Sequence, residues 1–165
     1  MSIFNPGASS GKIISLASGS LSGASTTMIN QSLALYKEIL VSIDANASGI
    51  GDYGFRFNND STVASYNTYY WNTTVRATLA GAVALAWVTT AGGASQMSGL
   101  LRLRPARNSV DGKVRAFFAG GMASPGLQGD MTDYAAAADI TRIDFTSATG
   151  TPTFTGSYTV WGVLA

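Results

Sequence analysis

Residues 140–165 constrain the fold more than any other stretch of the chain. Thr141, Ile143 and Phe145 alternate with Arg142 and Asp144, so apolar groups fall on one face of a strand and charge on the other. The connection 146–155 holds Gly150, Pro152 and small hydroxyl residues, which is turn chemistry. Gly156, Ser157, Tyr158, Thr159, Val160, Trp161, Gly162 and Val163 follow, an aromatic and β-branched run that predicts a second strand ending inside a sheet. The two strands are expected to form a terminal hairpin. Tyr158 and Trp161 lie on opposite faces of its second strand, one to pack the core and the other to meet a neighbouring subunit.

Upstream, the same two-residue period recurs in short segments. Residues 12–17 are a strand candidate, 18–25 a Gly/Ser loop, and 26–29 a weak further segment. In 36–45, Ile39, Val41 and Ile43 share one face, and Tyr53, Phe55 and Phe57 alternate with Gly54 and Arg56. Residues 66–71 form an aromatic strand, and 73–90 one strand or two, with Gly81 marking a bend. Leu101 and Leu103 alternate with Arg102 and Arg104, and an Asp-Gly turn leads into a returning strand over 113–119. Residues 120–134 read as a long loop and 135–138 as a short helical turn. About eight antiparallel strands separated by Gly/Asn/Ser turns, with no long helix, predict an all-β single-domain sandwich or barrel over 12–165. Residues 1–11, rich in Asn, Pro, Gly and Ser, are expected to form a flexible N-terminal arm.

Composition narrows the function classes. Charged residues make up 12% of the 165, about half of the roughly 25% usual for soluble domains. Mean hydropathy is nevertheless only +0.18, because Gly, Ser and Thr fill the shortfall. Such a chain suits a fibrous or secreted β protein, or a subunit covered by neighbours. A net charge of +1 argues against bulk nucleic-acid binding. With no cysteine and no histidine, disulfides, thiolate and imidazole metal sites and Ser-His-Asp or Cys-His catalysis are all excluded. The N-terminus lacks the pattern of a secretory signal, and residues 77–91 are too short and polar to span a bilayer.

Two clusters stand out as partner-binding candidates. Tyr66, Tyr69, Tyr70 and Trp71 are read either as sheet packing or as a subunit interface or carbohydrate-stacking platform. Arg102, Arg104, Arg107, Lys113 and Arg115 fall within one predicted hairpin opposed only by Asp111, with Arg102 and Arg104 on the same face. That patch is either a solvated sheet face or an electrostatic dock for an acidic surface or anionic glycan. It lacks interleaved aromatics, which makes nucleic acid a poor partner. Asp130, Asp133, Asp139 and Asp144 balance it and could meet the basic hairpin of a neighbouring copy. Asp130 with Asp133, and the turn at Asn58, Asn59 and Asp60, are weak calcium candidates without a defensible loop motif. Nothing points to paired catalytic carboxylates, and no cofactor is expected.

Three segments together carry a resemblance. Leu35-Tyr36-Lys37 leading into Ile39-Leu40-Val41, then Phe55-Arg56-Phe57-Asn58-Asn59-Asp60 with Tyr66, and finally Ile140…Ile143…Phe154-Thr155-Gly156-Ser157…Trp161-Gly162-Val163 resemble, in that order, segments of jelly-roll proteins of tailed-bacteriophage virions. Trp161 stands where tyrosine is commoner in that family. The resemblance implies a jelly-roll β-sandwich, often homotrimeric, with a virion structural role and no catalysis. The implied function is a capsid decoration (cement) protein bound to the major capsid protein on the outer surface of the phage head. The alternative is a tail-fibre or spike component that binds host-surface glycans. Neither nucleic acid nor membrane is an implied partner. The interface candidates are Tyr66, Tyr69, Tyr70, Trp71, Arg102, Arg104, Arg107, Arg115 and Trp161, taken from the residue patterns and not from the family.

Overall fold

The computed structural model describes residues 11–49, 52–62, 65–71, 76–79, 84–88, 95–105, 113–122, 127–134, 139–147, 150 and 152–164. They form twelve strands: β1 (Ile13–Gly23), β2 (Ser25–Asn30), β3 (Tyr36–Ser48), β4 (Asp52–Phe57), β5 (Tyr66–Trp71), β6 (Arg76–Leu79), β7 (Ala84–Val88), β8 (Ser95–Arg104), β9 (Val114–Met122), β10 (Leu127–Tyr134), β11 (Arg142–Ser147) and β12 (Thr153–Leu164). All pairings are antiparallel. The first sheet has eight strands in the order β1-β12-β3-β8-β9-β10-β5-β6, and the second has four in the order β2-β11-β4-β7. Of the expected arm, only Gly11 lies among the described residues.

Alternation decides which face of each strand is buried. In β3, Ile39, Val41, Ile43, Ala45 and Ala47 are buried while their even-numbered neighbours are not. β8 and β9 repeat the pattern with Leu101, Leu103, Val114, Ala116 and Phe118 inward. Across the gap, β4 and β11 present Phe55, Phe57, Ile143 and Phe145. Rings from the two sheets meet there. Phe145 packs edge-on against Phe154 with centroids 4.8 Å apart, and Phe57 against Tyr134 at 5.5 Å. The molecule is therefore an antiparallel β-sandwich.

Several sequence expectations change. Residues 140–165 do form two strands, but not a hairpin. β11 pairs with β2 and β4 in one sheet, and β12 with β1 and β3 in the other. The turn-rich connection carries the chain from sheet to sheet. Residues 18–23, read as loop, extend β1, because ten registered partners on β12 outweigh the weak strand preference of Gly and Ser. Most of the expected loop 120–134 is β10, held between β9 and β5 despite a Gly-, Gln- and Asp-containing sequence. The expected helical turn at 135–138 and the bend at Gly81 lie outside the described residues.

Within β12 the inward set is Phe154, Tyr158 and Val160, with Tyr158 packed against the core. Trp161 takes the opposite face and is half-buried. Two glycines make this strand possible. Gly156 has φ +134°, and a Cβ there would overlap the Asp44 carbonyl oxygen. At Gly162 a Cβ would overlap the Tyr36 ring, which is one of the partly buried side chains packed on the core. Phe154→Ala is expected to lower stability by about 3–5 kcal/mol, and Trp161→Ala by about 1–2 kcal/mol because only part of its ring leaves water. Urea denaturation of both variants checks the order; a larger loss for Trp161→Ala would place its ring in the core.

Candidate functional site

With the core between the sheets, the opposite face of the eight-stranded sheet is left for partners. Cross-strand register lays it out in rows. One row runs Ser15, Trp161, Leu40, Arg102 and Phe117 over β1, β12, β3, β8 and β9. The next runs Ser18, Thr159, Ser42, Leu100 and Ala119. On the other side, Arg104 lies directly opposite Arg115, and Arg115 opposite Asp133. The face thus has an apolar strip, a cationic end and, on the far side of Thr159 and Ser42, a polar row of Ser20, Ser157, Asp44 and Ser98. Phe117 is 40% and Leu100 42% exposed, unusual values for large apolar side chains on adjacent strands.

The cationic end forms an open cleft of about 220 Å³ lined by Glu38, Arg102, Arg104, Arg115, Ala116 and Phe117. Lys37 joins Glu38, Arg102 and Arg104 in a second depression beside it. The Arg102 guanidinium donates to the Glu38 carboxylate. That hydrogen bond, followed by the Glu38 charge, holds the Arg102 pKa above the ordinary arginine value. Arg115 faces Asp133 at 3.4 Å, close enough for an ion pair. The geometry does not make a hydrogen bond, since the buried Asp133 Oδ1 has no hydrogen-bond partner among the described residues. Arg104 has no ion pair among the described residues, although it sits opposite another arginine, an arrangement that is unfavourable in a cross-strand pair. Lys37, Arg102, Arg104 and Arg115 against Glu38 and Asp133 leave this end of the face net positive.

The structure therefore brings Arg102, Arg104 and Arg115 together and adds Trp161 to the same face. Arg107 lies outside the described residues. Glu38, Leu40, Leu100 and Phe117 were not among the candidates. The alternation that places Arg115 outward also places Phe117 outward, so an aromatic does interleave with the arginines, contrary to expectation. Glu38 comes from β3, far away in sequence, and Asp133 from β10, the strand that follows β9. Asp133 pairs within its own chain rather than serving only a neighbour. Asp144 is not near the patch. It is buried in the four-stranded sheet, where Arg142 Nε lies 2.8 Å from its Oδ2 and Thr27 donates to Oδ1 at 2.6 Å.

The aromatic cluster divides. Tyr66 is only 4% exposed and belongs to the core, so it is not on a surface that a partner could touch. Its hydroxyl accepts from the Phe57 N–H at 3.1 Å and donates to the Asp60 carbonyl at 2.8 Å. Tyr69, Tyr70 and Trp71 lie on β5, but their side chains are outside the described residues. The Asn58 and Asp60 side chains of the turn are occupied with backbone groups. Asn58 and Asn59 have φ +54° and +55°. Asn58 Oδ1 accepts from the Thr141 N–H at 2.8 Å, and Asp60 Oδ1 from the Thr62 N–H at 2.8 Å. Among the described residues no group of three or more acidic, histidine or cysteine side chains could hold a metal, and no helix is long and apolar enough to cross a membrane.

Tyr134 extends the turn network, donating to Asp60 Oδ2 at 3.1 Å. Desolvation raises the Asp60 pKa, but hydrogen bonds from Thr62, Ser65 and Tyr134 outweigh it and leave the carboxyl below its usual value. Burial raises both tyrosines. Tyr66 moves well above the ordinary range, and Tyr134, with the Asp60 hydrogen bond and charge adding, is pushed up to about 12. Comparisons with protein-family models, curated proteins and solved structures return no match.

The sign of the pH dependence follows. Both tyrosines ionise near 10 when unfolded. Their neutral folded forms contribute stability that is complete below that pH and is lost as pH rises toward 12. The urea midpoint is expected to fall over this window more steeply for the wild type than for Tyr134→Phe; parallel profiles would refute the assignment.

Proposed function

We propose that the protein is a virion structural subunit of the capsid-decoration type, which docks the outward face of its eight-stranded sheet on the major capsid lattice and stabilises it from outside. The observation that carries this reading is the combination, on one face, of exposed Leu100 and Phe117 with Arg102, Arg104 and Arg115. Apolar side chains with a cationic rim suit an acidic partner surface, where burial supplies affinity and charge supplies orientation. No step of catalysis is required of it. The strand order supports a jelly roll. β1-β12-β3-β8 and β2-β11-β4-β7 are two four-strand blocks between which the chain passes back and forth, with β9, β10, β5 and β6 extending the first. A jelly roll is built of two Greek keys in eight strands, a scheme with which this order is compatible. The resemblance in the three sequence segments points the same way. The tail-fibre alternative rests on Tyr69, Tyr70 and Trp71, whose side chains lie outside the described residues.

Purified protein added to phage capsids that lack it should bind and raise their heat resistance. Arg104→Glu, at an exposed position, should keep the fold and weaken that binding at least about tenfold, with the difference shrinking at high salt. Absence of wild-type binding would overturn the reading, and equal binding by Arg104→Glu would remove the cationic cleft from it.

A further inference from the structure

The β1 edge of the eight-stranded sheet, away from the docking face, has no partner strand among the described residues. β1 is an edge strand of eleven residues, Ile-Ile-Ser-Leu-Ala-Ser-Gly-Ser-Leu-Ser-Gly, with no charge and no proline. Proteins blunt such edges with short strands, lysines or prolines. The other sheet edges here are short: β6 has four residues, β7 five and β2 six. Among the described edge strands only β1 is both long and uncharged.

Two observations show which backbone groups of β1 point outward. Leu164 N–H donates to the Lys12 carbonyl at 3.0 Å, so Lys12 faces β12. The bulge between Ser15 and Ala17 adds one residue and reverses the parity. Beyond it, residues 17, 19, 21 and 23 face β12, and Ser18, Ser20 and Ser22 face the free edge. Independently, Ser22 N–H is bonded to Thr26 Oγ1 at 3.0 Å, and Thr26 Oγ1 donates back to the Ser22 carbonyl at 3.3 Å. Ser22 is thus outward, as the parity requires, and is capped by its own chain. Ahead of the bulge Ile13 and Ser15 also point outward; beyond it, the edge groups without a partner strand among the described residues are those of Ser18 and Ser20.

Their spacing is self-complementary. Placing Gly19 on a two-fold axis opposite Gly19 of a second copy sets Ser18 against Ser20 in both directions. Each such pair can exchange an N–H···O bond both ways. Glycine at the axis permits close approach of the two backbones, and the uncharged flanks bring no repulsion. The pairing stops at Ser22, which Thr26 has already satisfied. We infer that β1 pairs with β1 of a second copy of this chain, antiparallel and centred on Gly19, to form a two-fold dimer with one continuous sheet.

Sedimentation equilibrium over a range of protein concentrations tests this. The wild type should show a concentration-dependent monomer–dimer equilibrium. Ser20→Pro removes one outward N–H that the fold does not use, and proline is tolerated on edge strands in that orientation. It should leave the far-ultraviolet spectrum unchanged and weaken the dimer at least about tenfold. Ser20→Lys brings like charges together at the axis and should weaken the dimer at low salt more than at high salt. A monomer at every concentration, a trimer, or a dimer indifferent to both substitutions would overturn the inference. None of these outcomes depends on capsid binding, so the two readings fail separately.

Discussion

The fold depends on a layer of aromatic rings held between the two sheets. Phe154 of β12 meets Phe145 of β11, Phe145 meets Phe55 of β4 at 5.5 Å, and Phe55 meets Phe118 of β9 at 6.0 Å. Phe57, Tyr66 and Tyr134 form a second group, with the two tyrosine rings 5.0 Å apart. Each such ring removes far more apolar surface from water than the small residues around it can. In a chain this rich in Gly, Ser and Thr, Tyr134 and the five phenylalanines are the largest fully buried side chains among the described residues. Their positions also fix orientation. Once Phe118 points inward on β9, the two-residue period sends Arg115 and Phe117 outward. The exposed cationic and apolar face is therefore a consequence of core packing as much as of its own sequence.

The segments behind the family resemblance do structural work together. The Tyr36 ring occupies the space that Gly162 leaves, so the first and last segments fit one another. The middle segment closes on itself through Tyr66, Phe57 and Asp60, and reaches the last through Asn58 and Thr141. Asn58 also donates to the Asp139 carbonyl at 3.1 Å. Such contacts explain why these residue types occur in these positions without assigning them a ligand. They concern how the chain turns and crosses between sheets.

What was legible in the sequence was local. Alternation in 36–45, 53–57 and 101–104 identified β3, β4 and β8 and the inward residues of each. It also put Arg102 and Arg104 on one face. What was not legible depended on partners. β10 reads as loop because Gly129, Asp130 and Asp133 carry no strand preference, and only pairing on both sides makes it a strand. The separation of β11 and β12 into different sheets was hidden for the same reason: a turn-rich connector looks the same whether it closes a hairpin or crosses a sandwich. Glu38 could not be assigned to Arg102 because β3 reaches β8 only through sheet order, and Asp133 could not be assigned to Arg115 because its strand reads as loop.

The two proposed surfaces are geometrically compatible, and each strengthens the other. A two-fold axis relating antiparallel edge strands runs perpendicular to the sheet. Two copies joined through β1 therefore turn the same face of the joined sheet in the same direction. Their cationic clefts, and the strips containing Leu40, Leu100 and Phe117, would then meet one flat partner surface together. A face that binds weakly as a single copy gains from this arrangement, because the second contact becomes intramolecular once the first has formed. A face-to-face dimer would have the opposite effect, burying the exposed apolar side chains and hiding the arginines. An edge contact confined to Ser18, Gly19 and Ser20 leaves them all accessible, which is what a subunit assembled on a repeating lattice requires.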